Sequence, residues 1–247
     1  MQNIYDNKKF FDEYISMRDK EINANNLIEK PIFRALLPSF KDKKVLDLGC
    51  GYGDLCKLAE EDGARKIVGV DISKKMLEMA KNINSSDKIT YLNLPMEKLN
   101  EINEKFNFVI SSLAFHYVEN FEKLIFDIKN LLVENGYLIF SQEHPVATAF
   151  MPPKNKNIDK KIDIENKRYY LLSDYNNNGK RFVHWNIDDV IKYHRNFGTI
   201  INTLADNNFI IEKLIDSYAD DETIKLEPKY KYQNDRPYFL FIKARLA

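Results

Sequence analysis

A glycine-rich turn follows an apolar run at residues 45–55, which read VLDLGCGYGDL. Gly49, Gly51 and Gly53 alternate with larger residues, and such a turn lets the backbone approach a nucleotide-like ligand closely. Asp71 ends the next apolar run, KIVGVD, about twenty residues later, where a ribose-binding carboxylate is found in nucleotide folds. A carboxylate there can accept hydrogen bonds from both hydroxyls of an adenosine ribose. The pattern therefore predicts a ligand that contains adenosine.

Two other ligands of glycine-rich turns fit this sequence less well. A triphosphate loop requires a Lys-Ser or Lys-Thr pair after its last glycine, and none follows here. A dinucleotide turn usually reads G-x-G-x-x-G, whereas here the third glycine comes one residue early and Asp54 takes its place. A carboxylate at that position stabilises the N-terminus of the following helix, but its negative charge would repel a pyrophosphate. The Tyr-x-x-x-Lys pair of a short-chain dehydrogenase occurs once, from Tyr5 to Lys9, upstream of the turn where it cannot serve.

Other side chains could act on a second substrate that binds beside the adenosine-containing ligand. His116 and His144 follow the predicted fourth and fifth strands, so either could be a general base near neutral pH or simply shape a pocket. His194 and Arg195 could reach an acceptor and bind an acidic group on it. Trp185 could line an apolar acceptor pocket, although a lid packed on the core would use the same residue.

The elements that must position these residues alternate from about residue 44 onward. The runs KVLDL, KIVGVD, ITYLNL, FNFVISS and YLIFSQE predict five strands, with helical periods between them. Ser73 fits the N-cap of the second of these helices, and Asn135-Gly136 fits the end of the helix in NFEKLIFDIKNLLVENG. Apolar strands separated by helices predict a parallel sheet covered on both faces. Such sheets bind ligands at the carboxyl ends of their strands.

The pattern changes twice along the chain. Residues 146–196 contain a Pro-Pro pair, a basic run and several aromatics without a clean period, which indicates an inserted cap. A helix near 197–207 and the strands FIIEKLI and PYFLFIKARL restore order. We therefore expect one domain over 1–247, composed of an N-terminal helical segment (1–40), a ligand-binding core (41–145), the cap (146–196) and a closing unit (197–247).

Composition narrows the possible partners. Lys and Arg number 37 and Asp and Glu also number 37, so no overall basic field would hold a nucleic acid or an anionic membrane. The N-terminus lacks the apolar run of a signal peptide, and no stretch of about 18 apolar residues could span a membrane, which predicts a soluble cytoplasmic protein. Cys50, Cys56 and four scattered histidines match no zinc motif, so no metal site is expected.

The combination Asp47-x-Gly49-x-Gly51-x-Gly53, with Asp71 and the segment SSLAFHYV, resembles the class I S-adenosylmethionine-dependent methyltransferases. The N-terminal segments YDNKKFFDEYISMR and ANNLIEKP look like those of a small-molecule-type bacterial subgroup. The final RPYFLFIKARL looks like the last strand of the family's antiparallel hairpin. The resemblance implies an α/β, Rossmann-like fold with a seven-stranded, mostly parallel sheet, helices on both faces and a final antiparallel strand. It also implies S-adenosyl-L-methionine as the cofactor.

The resemblance implies a set of cofactor-binding residues in five segments of the chain. These are Tyr14 and Arg18; Asp47, Gly49, Cys50, Gly51 and Gly53; Asp71 and Ile72; Met96 and Glu97; and Ser112. Tyr14 and Arg18 would close over the cofactor's carboxylate, which suits the bidentate guanidinium. Asp47 would hold the turn or the cofactor's ammonium, Ile72 would pack on adenine beside Asp71, and Ser112 would lie near the methionine portion. Pro95 stands where the family often has an acidic residue, so Met96 and Glu97 would take over the adenine contact.

Methyl transfer from a sulfonium is an in-line displacement that depends mainly on alignment, and a base is needed only for a protonated acceptor. The inserted cap favours a small-molecule acceptor enclosed away from water, and a nucleic-acid partner is not expected. Two alternatives remain at this point: a tRNA- or RNA-modifying methyltransferase, and a cofactor-binding regulatory or scaffold protein without turnover.

Overall fold

The computed structural model describes residues 2–18, 20–151, 161–165, 167–185 and 187–247, without the side chains of residues 184–189. The first five strands are β1 (Lys44–Leu48), β2 (Lys66–Asp71), β3 (Ile89–Asn93), β4 (Phe106–Ser111) and β5 (Leu132–Glu143). The later strands are β6 (Lys161–Ile164), β7 (Lys167–Tyr170), β8 (Gly179–Trp185), β9 (Ile187–His194), β10 (Phe209–Asp216) and β11 (Phe239–Leu246).

The helices lie between these strands and ahead of them. They are α1 (Lys8–Arg18), α2 (Lys30–Leu36), α3 (Asp54–Glu61), α4 (Lys74–Ile83), α5 (Phe121–Leu131), α6 (Pro145–Thr148), α7 (Phe197–Asp206) and α8 (Asp221–Leu226). A π-helical turn, Asn25–Glu29, leads directly into α2. No helix among the described residues is both long enough and apolar enough to cross a lipid bilayer.

Seven of these strands form one sheet in the order β10-β11-β5-β4-β1-β2-β3. Neighbouring strands from β1 to β5 pair in parallel, and β11 runs antiparallel to both β5 and β10. The predicted Rossmann-like, mostly parallel sheet with a final antiparallel strand is thus confirmed. The chain builds outward from β1 to β3 and then returns to place β4 on the other side of β1. The switch in strand order therefore falls between β1 and β4, where sheets of this kind bind ligands.

Both faces of the sheet are buried, as the near-continuous apolar strands predict. Alternate residues of β1 point to opposite faces. Leu46 belongs to the core layer that contains Leu124 of α5 and Leu204 of α7. Val45 belongs to the opposite layer, which contains Phe33 of α2 and many residues around α3. The helices on the two sides hold the carboxyl edge of the sheet in place.

The predicted helix caps can be compared directly with the structure. The Ser73 hydroxyl accepts a hydrogen bond from Met76 N at 3.1 Å, so Ser73 is the N-cap of α4. The helix predicted to run to Asn135-Gly136 ends earlier, at Leu131. The predicted end was wrong because Leu132 already pairs with Phe106 of β4, and the backbone turns at Asn135, where φ is +58°. As a result β5 is longer than YLIFSQE alone suggests.

Between β5 and α7 the described residues form α6 and two antiparallel hairpins, β6–β7 and β8–β9. The β8–β9 hairpin packs on the N-terminal segment, since Val190 lies in one cluster with Ile4 and Phe10. Gln2 also connects the two segments, because its side-chain oxygen accepts a hydrogen bond from Ile191 N at 2.9 Å. The β8–β9 hairpin and the N-terminal segment thus meet each other, while the division of the chain at residues 40, 145 and 196 stays a prediction.

Candidate functional site

A cavity of about 540 Å³ lies at the carboxyl ends of the central strands. Twelve residues singled out from the sequence line it: Tyr14, Arg18, Asp47, Gly49, Cys50, Gly51, Asp71, Ile72, Met96, Glu97, Ser112 and His116. They come from α1, from the carboxyl ends of β1 and β2 and the residues that follow them, from the segment after β4, and from the turn that follows β3 and Pro95. The fold therefore brings to one cavity residues that are far apart in the chain.

The glycine turn, residues 49–53, contains three glycines, and the lack of a side chain has a different consequence at each. All three glycines have positive φ, at +71°, +54° and +88° for Gly49, Gly51 and Gly53. A Cβ on Gly49 would lie 2.4 Å from the Cβ of Ala114, and a Cβ on Gly53 would lie 2.2 Å from the Tyr91 hydroxyl. A Cβ on Gly51 would meet no atom within 4 Å. Gly51 thus leaves open space beside the cavity, whereas Gly53 does not line the cavity and its lack of a side chain serves packing.

Asp71 holds this turn in place. Its Oδ2 accepts a hydrogen bond from Gly51 N at 2.9 Å, and its Oδ1 accepts one from Ser73 N at 2.8 Å. Burial raises the pKa of this carboxyl, while the backbone N–H groups act in the opposite direction. Asp71 therefore connects the glycine turn to the start of α4 and still lines the cavity.

Asp47 is the most isolated carboxyl of the cavity wall. It is 1% exposed, and its Oδ2 accepts a hydrogen bond of 3.4 Å from the Cys56 thiol. Its Oδ1 is buried and has no hydrogen-bond partner among the described residues. Burial raises the pKa of Asp47 to about 7. An unpaired buried oxygen is costly, so this position would gain from a ligand that brings a cation or a hydrogen-bond donor.

Tyr14 and Arg18 cover the glycine turn from α1. Arg18 Nε donates a hydrogen bond of 3.1 Å to the Tyr52 hydroxyl, and its guanidinium lies 5.9 Å from the Tyr14 ring centroid. Asp54, at the start of α3, lies 3.8 Å from Arg18 Nη2. The Tyr14 ring meets the ring of Tyr5 edge-on at 5.1 Å. These contacts join the N-terminal segment to the turn through aromatic and charged groups.

Ser112 leads to a residue that sequence reasoning missed. Its hydroxyl donates a hydrogen bond of 2.8 Å to Glu29 Oε1, and the Ser141 hydroxyl donates to the same oxygen at 2.6 Å. Glu29 is 1% exposed, lines the cavity and ends the π-helical turn before α2. Burial raises the pKa of Glu29. Turns of this kind are frequent at functional sites, but a sequence pattern does not reveal them.

His116 lines the cavity. Its Nδ1 accepts a hydrogen bond of 3.4 Å from Glu143 N, and burial lowers its pKa to about 3. A neutral imidazole whose Nδ1 accepts must carry its proton on Nε2. His116 is thus arranged as a hydrogen-bond donor, which supports a binding role better than the predicted role as a base.

His144 and His194 lie outside the cavity lining, among other partners. His144 Nδ1 accepts from Val146 N at 3.1 Å, and its Nε2 lies 2.9 Å from Asp216 Oδ1. His194 is fully buried, with its Nδ1 2.8 Å from the Thr148 hydroxyl. Both histidines therefore have structural contacts, and this placement does not support the predicted catalytic or acceptor-binding role for either.

Arg195 also lies outside the cavity lining, but it holds the turn that carries His116. Its guanidinium is buried and donates to the carbonyl oxygens of Phe115, at 3.3 Å, and of Val118 and Glu119. The predicted direct contact of Arg195 with an acceptor is thus not supported by its position. The side chain of Trp185, a further predicted acceptor contact, lies outside the described residues.

A second group of cavity residues lies away from the glycine turn. We call it the β5–β11 end, and it consists of Glu143, Lys192, Arg236, Tyr238 and Phe239. Lys192 forms an ion pair with Glu143, and its ammonium lies 5.8 Å from the ring centroid of Tyr117. Apart from Glu143 at the end of β5, sequence reasoning missed these residues, because they come from separate segments, on β9, just before β11 and at its first residue.

The comparisons with known proteins agree with this geometry. The family model of a methyltransferase domain matches residues 39–201. An uncharacterized protein from Haemophilus influenzae is 41% identical over 248 residues, which cover 98% of this chain and 96% of that protein.

Two solved structures are similar along most of their length. A crystal structure of an S-adenosylmethionine-dependent methyltransferase from Mesorhizobium loti has a TM-score of 0.79 at 33% identity, over 90% of this chain and 98% of that one. A candidate S-adenosylmethionine-dependent methyltransferase from Listeria monocytogenes has a TM-score of 0.76 at 33% identity, over 88% and 96% of the two chains.

Other relatives match only in part. Protein arginine N-methyltransferase 1 from Saccharomyces cerevisiae is 36% identical over 117 residues, 44% of this chain and 33% of that protein. Malonyl-[acyl-carrier protein] O-methyltransferase from Buchnera aphidicola is 32% identical over 122 residues, 49% of this chain and 46% of that protein. This chain thus matches less than half the length of either relative.

The contrast between two glycines generates a first prediction. Gly53→Ala and Gly51→Ala both place a side chain at positive φ, but only the first puts a Cβ 2.2 Å from the Tyr91 hydroxyl. We expect Gly53→Ala to lower the free energy of unfolding by about 1–3 kcal/mol more than Gly51→Ala does, which is the usual cost of overpacking. Urea unfolding of both variants measures this difference, and equal losses would contradict the packing role of Gly53.

A second prediction concerns pH and stability. The unfolded chain protonates His116 below about pH 6.5, whereas the folded chain, with its pKa near 3, does not. The contribution of His116 to stability is therefore complete above about pH 6.5 and is lost as the pH falls toward 3. Replacement by Gln removes this dependence. Between about pH 6 and about pH 4.5, unfolding free energy should fall less steeply in His116→Gln, by up to about 1.4 kcal/mol per pH unit.

Urea unfolding across this range, with wild type and variant side by side, measures the two slopes. Buried carboxyls such as Asp47 also titrate with folding, but they are present in both proteins and cancel in the difference. Parallel slopes would show that His116 is protonated equally in the folded and unfolded states.

Proposed function

We propose that this chain, which belongs to the class I S-adenosylmethionine-dependent methyltransferases, transfers the methyl group to a small molecule enclosed in the 540 Å³ cavity. The observation that carries this proposal is the continuity of the cavity. It is lined both by the glycine turn and by the β5–β11 end, so a cofactor and an acceptor could share one space. Its volume is typical of small-molecule sites.

The residues around the glycine turn fit S-adenosylmethionine, the cofactor of this family. The unpaired Oδ1 of Asp47 matches the cofactor's ammonium, because a charged donor would remove the cost of leaving that oxygen unbonded. Arg18, with Tyr14 beside it, offers a guanidinium for the carboxylate. The open space at Gly51 lets the ligand lie against the backbone.

Asp71 supplies the ribose contact in this proposal. Its two oxygens already accept one backbone N–H each, and a carboxylate has about four lone-pair sites in all. The remaining sites can accept the two ribose hydroxyls. Ile72, Met96 and Glu97 line the neighbouring wall and provide the surface for adenine.

The cofactor supplies a methyl group already activated on a sulfonium sulfur. The chain's own task is then to orient the acceptor and exclude water, and the N-terminal segment and the β8–β9 hairpin contribute walls on the solvent side. Tyr5 and Tyr117 line this part, with hydroxyls 3.5 Å apart, and aromatic faces stabilise a nearby cation. His116 donates from Nε2 to a polar atom of the acceptor.

The enclosure by the N-terminal segment and the β8–β9 hairpin favours a small acceptor over a macromolecular one. RNA and protein side chains remain the acceptors against which the proposal is tested. The enzyme assignment of the family argues against a scaffold protein without turnover.

Asp71→Ala should weaken the binding of S-adenosylmethionine. Loss of two hydrogen bonds to a charged acceptor should raise the dissociation constant about 10- to 100-fold. Titration calorimetry measures this change, and Asp206→Ala, on the exposed end of α7, is the matched control. Because Asp71 also holds the glycine turn, the folded state of the variant is checked by its melting temperature. Unchanged affinity in a folded variant would refute the ribose contact.

The acceptor class is tested by release of S-adenosylhomocysteine. Purified protein is incubated with S-adenosylmethionine and, separately, with a metabolite extract below about 1 kDa, with total tRNA and with total protein, each from bacterial cells. We expect turnover with the metabolite extract alone. Turnover confined to tRNA or to protein would replace the small-molecule acceptor with that class.

A further inference from the structure

The β5–β11 end has a charge pattern of its own. Its charged residues are Lys192 and Arg236, both cationic, and Glu143, the one carboxylate among its five residues. Lys192 is buried and forms an ion pair with Glu143, whose negative charge also acts on Arg236, so the five residues together hold two cations and one carboxylate. His116, neutral and with its proton on Nε2, adds a hydrogen-bond donor next to Glu143. This end of the cavity is therefore suited to an anion.

The guanidinium of Arg236 is held in a defined orientation. Its Nη2 donates to Ala147 O at 2.7 Å and its Nε to Val146 O at 3.4 Å, and the group stacks 5.0 Å from the Tyr170 ring centroid. No described residue accepts a hydrogen bond from its Nη1. A guanidinium fixed in this way loses little conformational entropy when it binds a planar anion, and its geometry matches a carboxylate.

Arg236 lies too far from the glycine turn to serve the cofactor's own carboxylate. The turn follows β1, whereas Arg236 comes just before β11, and β4 and β5 lie between these strands. Three strand spacings correspond to about 14 Å. Arg18 already lies beside the turn, bonded to Tyr52. The two arginines therefore serve opposite ends of the cavity.

The side chains around Arg236 indicate the shape and polarity of the rest of the ligand. Tyr238 and Phe239 line the cavity next to it, and Tyr117 lies on the side of Lys192. Flat aromatic walls beside a fixed guanidinium suit a molecule with a planar apolar body and one carboxylate. The positive charge of the sulfonium favours an anionic acceptor further.

We propose that the methyl acceptor is an aromatic or similarly flat carboxylic acid, whose carboxylate binds Arg236 and whose body packs on Tyr238 and Phe239. This proposal rests on the proposed function, since it concerns the acceptor of the same cavity. Arg236 is then the residue that selects anionic acceptors, and His116 is a second donor to the bound molecule.

The experiment compares two ligands of nearly equal shape, benzoate and benzamide, which differ in charge. Calorimetry first measures binding of S-adenosylhomocysteine to the protein, and each ligand is then titrated into the saturated complex. We expect benzoate to bind at least about tenfold more tightly than benzamide, the difference that one charge-assisted contact supplies. Arg236→Gln should remove this preference.

Arg245→Gln is the matched control, because Arg245 pairs with Glu212 at the opposite end of β11 and should leave the preference unchanged. Arg236→Lys keeps the positive charge but lacks the planar, bidentate guanidinium, and it should retain part of the preference for benzoate. Arg236→Gln could lose its fold, which its melting temperature would show. The comparison of the two ligands on wild type and on Arg236→Lys then still tests whether the guanidinium of Arg236 sets the preference for benzoate.

Equal binding of benzoate and benzamide, or binding of neither, overturns the carboxylate proposal, as does a preference that persists in a folded Arg236→Gln variant. Failure of the proposed function would give a different result, because S-adenosylhomocysteine itself would then not bind in the first titration.

Discussion

The hydrogen bond from Gly51 N to Asp71 is the contact on which the rest of the site depends. It links the turn after β1 to the end of β2, so that the left-handed backbone of the turn is fixed against the sheet. Because the other oxygen of Asp71 accepts from Ser73 N, the same carboxylate also sets the start of α4. The open space at Gly51 is thus created by a residue twenty positions away, and neither residue forms the site alone.

Features that depend on neighbouring residues could be predicted from the sequence. Apolar runs gave the strands, because a strand buried on both faces needs apolar side chains throughout. The glycine turn and the Ser73 cap were also local, since φ at Gly51 and a bond to Met76 three residues later involve only nearby chain. The family resemblance added the number of strands and the final antiparallel strand, which local patterns do not contain.

Features that depend on distant partners could not be predicted. Glu29 is a cavity residue because Ser112 and Ser141 donate to it across 83 and 112 positions, and no periodic signal marks such a pair. His144 follows a strand, as a catalytic histidine would, but Val146 and Asp216 occupy its two nitrogens. His116 stands in an equivalent place and does line the cavity. Spacing alone therefore could not distinguish the two histidines.

The two ends of the cavity are fixed by different kinds of structure. At the glycine turn, backbone geometry and buried carboxyls leave little freedom, because a side chain at Gly49 would collide with Ala114. At the β5–β11 end, Lys192 and Arg236 come from the β8–β9 hairpin and from the segment before β11, outside the parallel core. Segments of this kind tolerate substitution better than central strands do. The acceptor can therefore be changed without disturbing the turn, because the groups that would choose it are carried by separate elements.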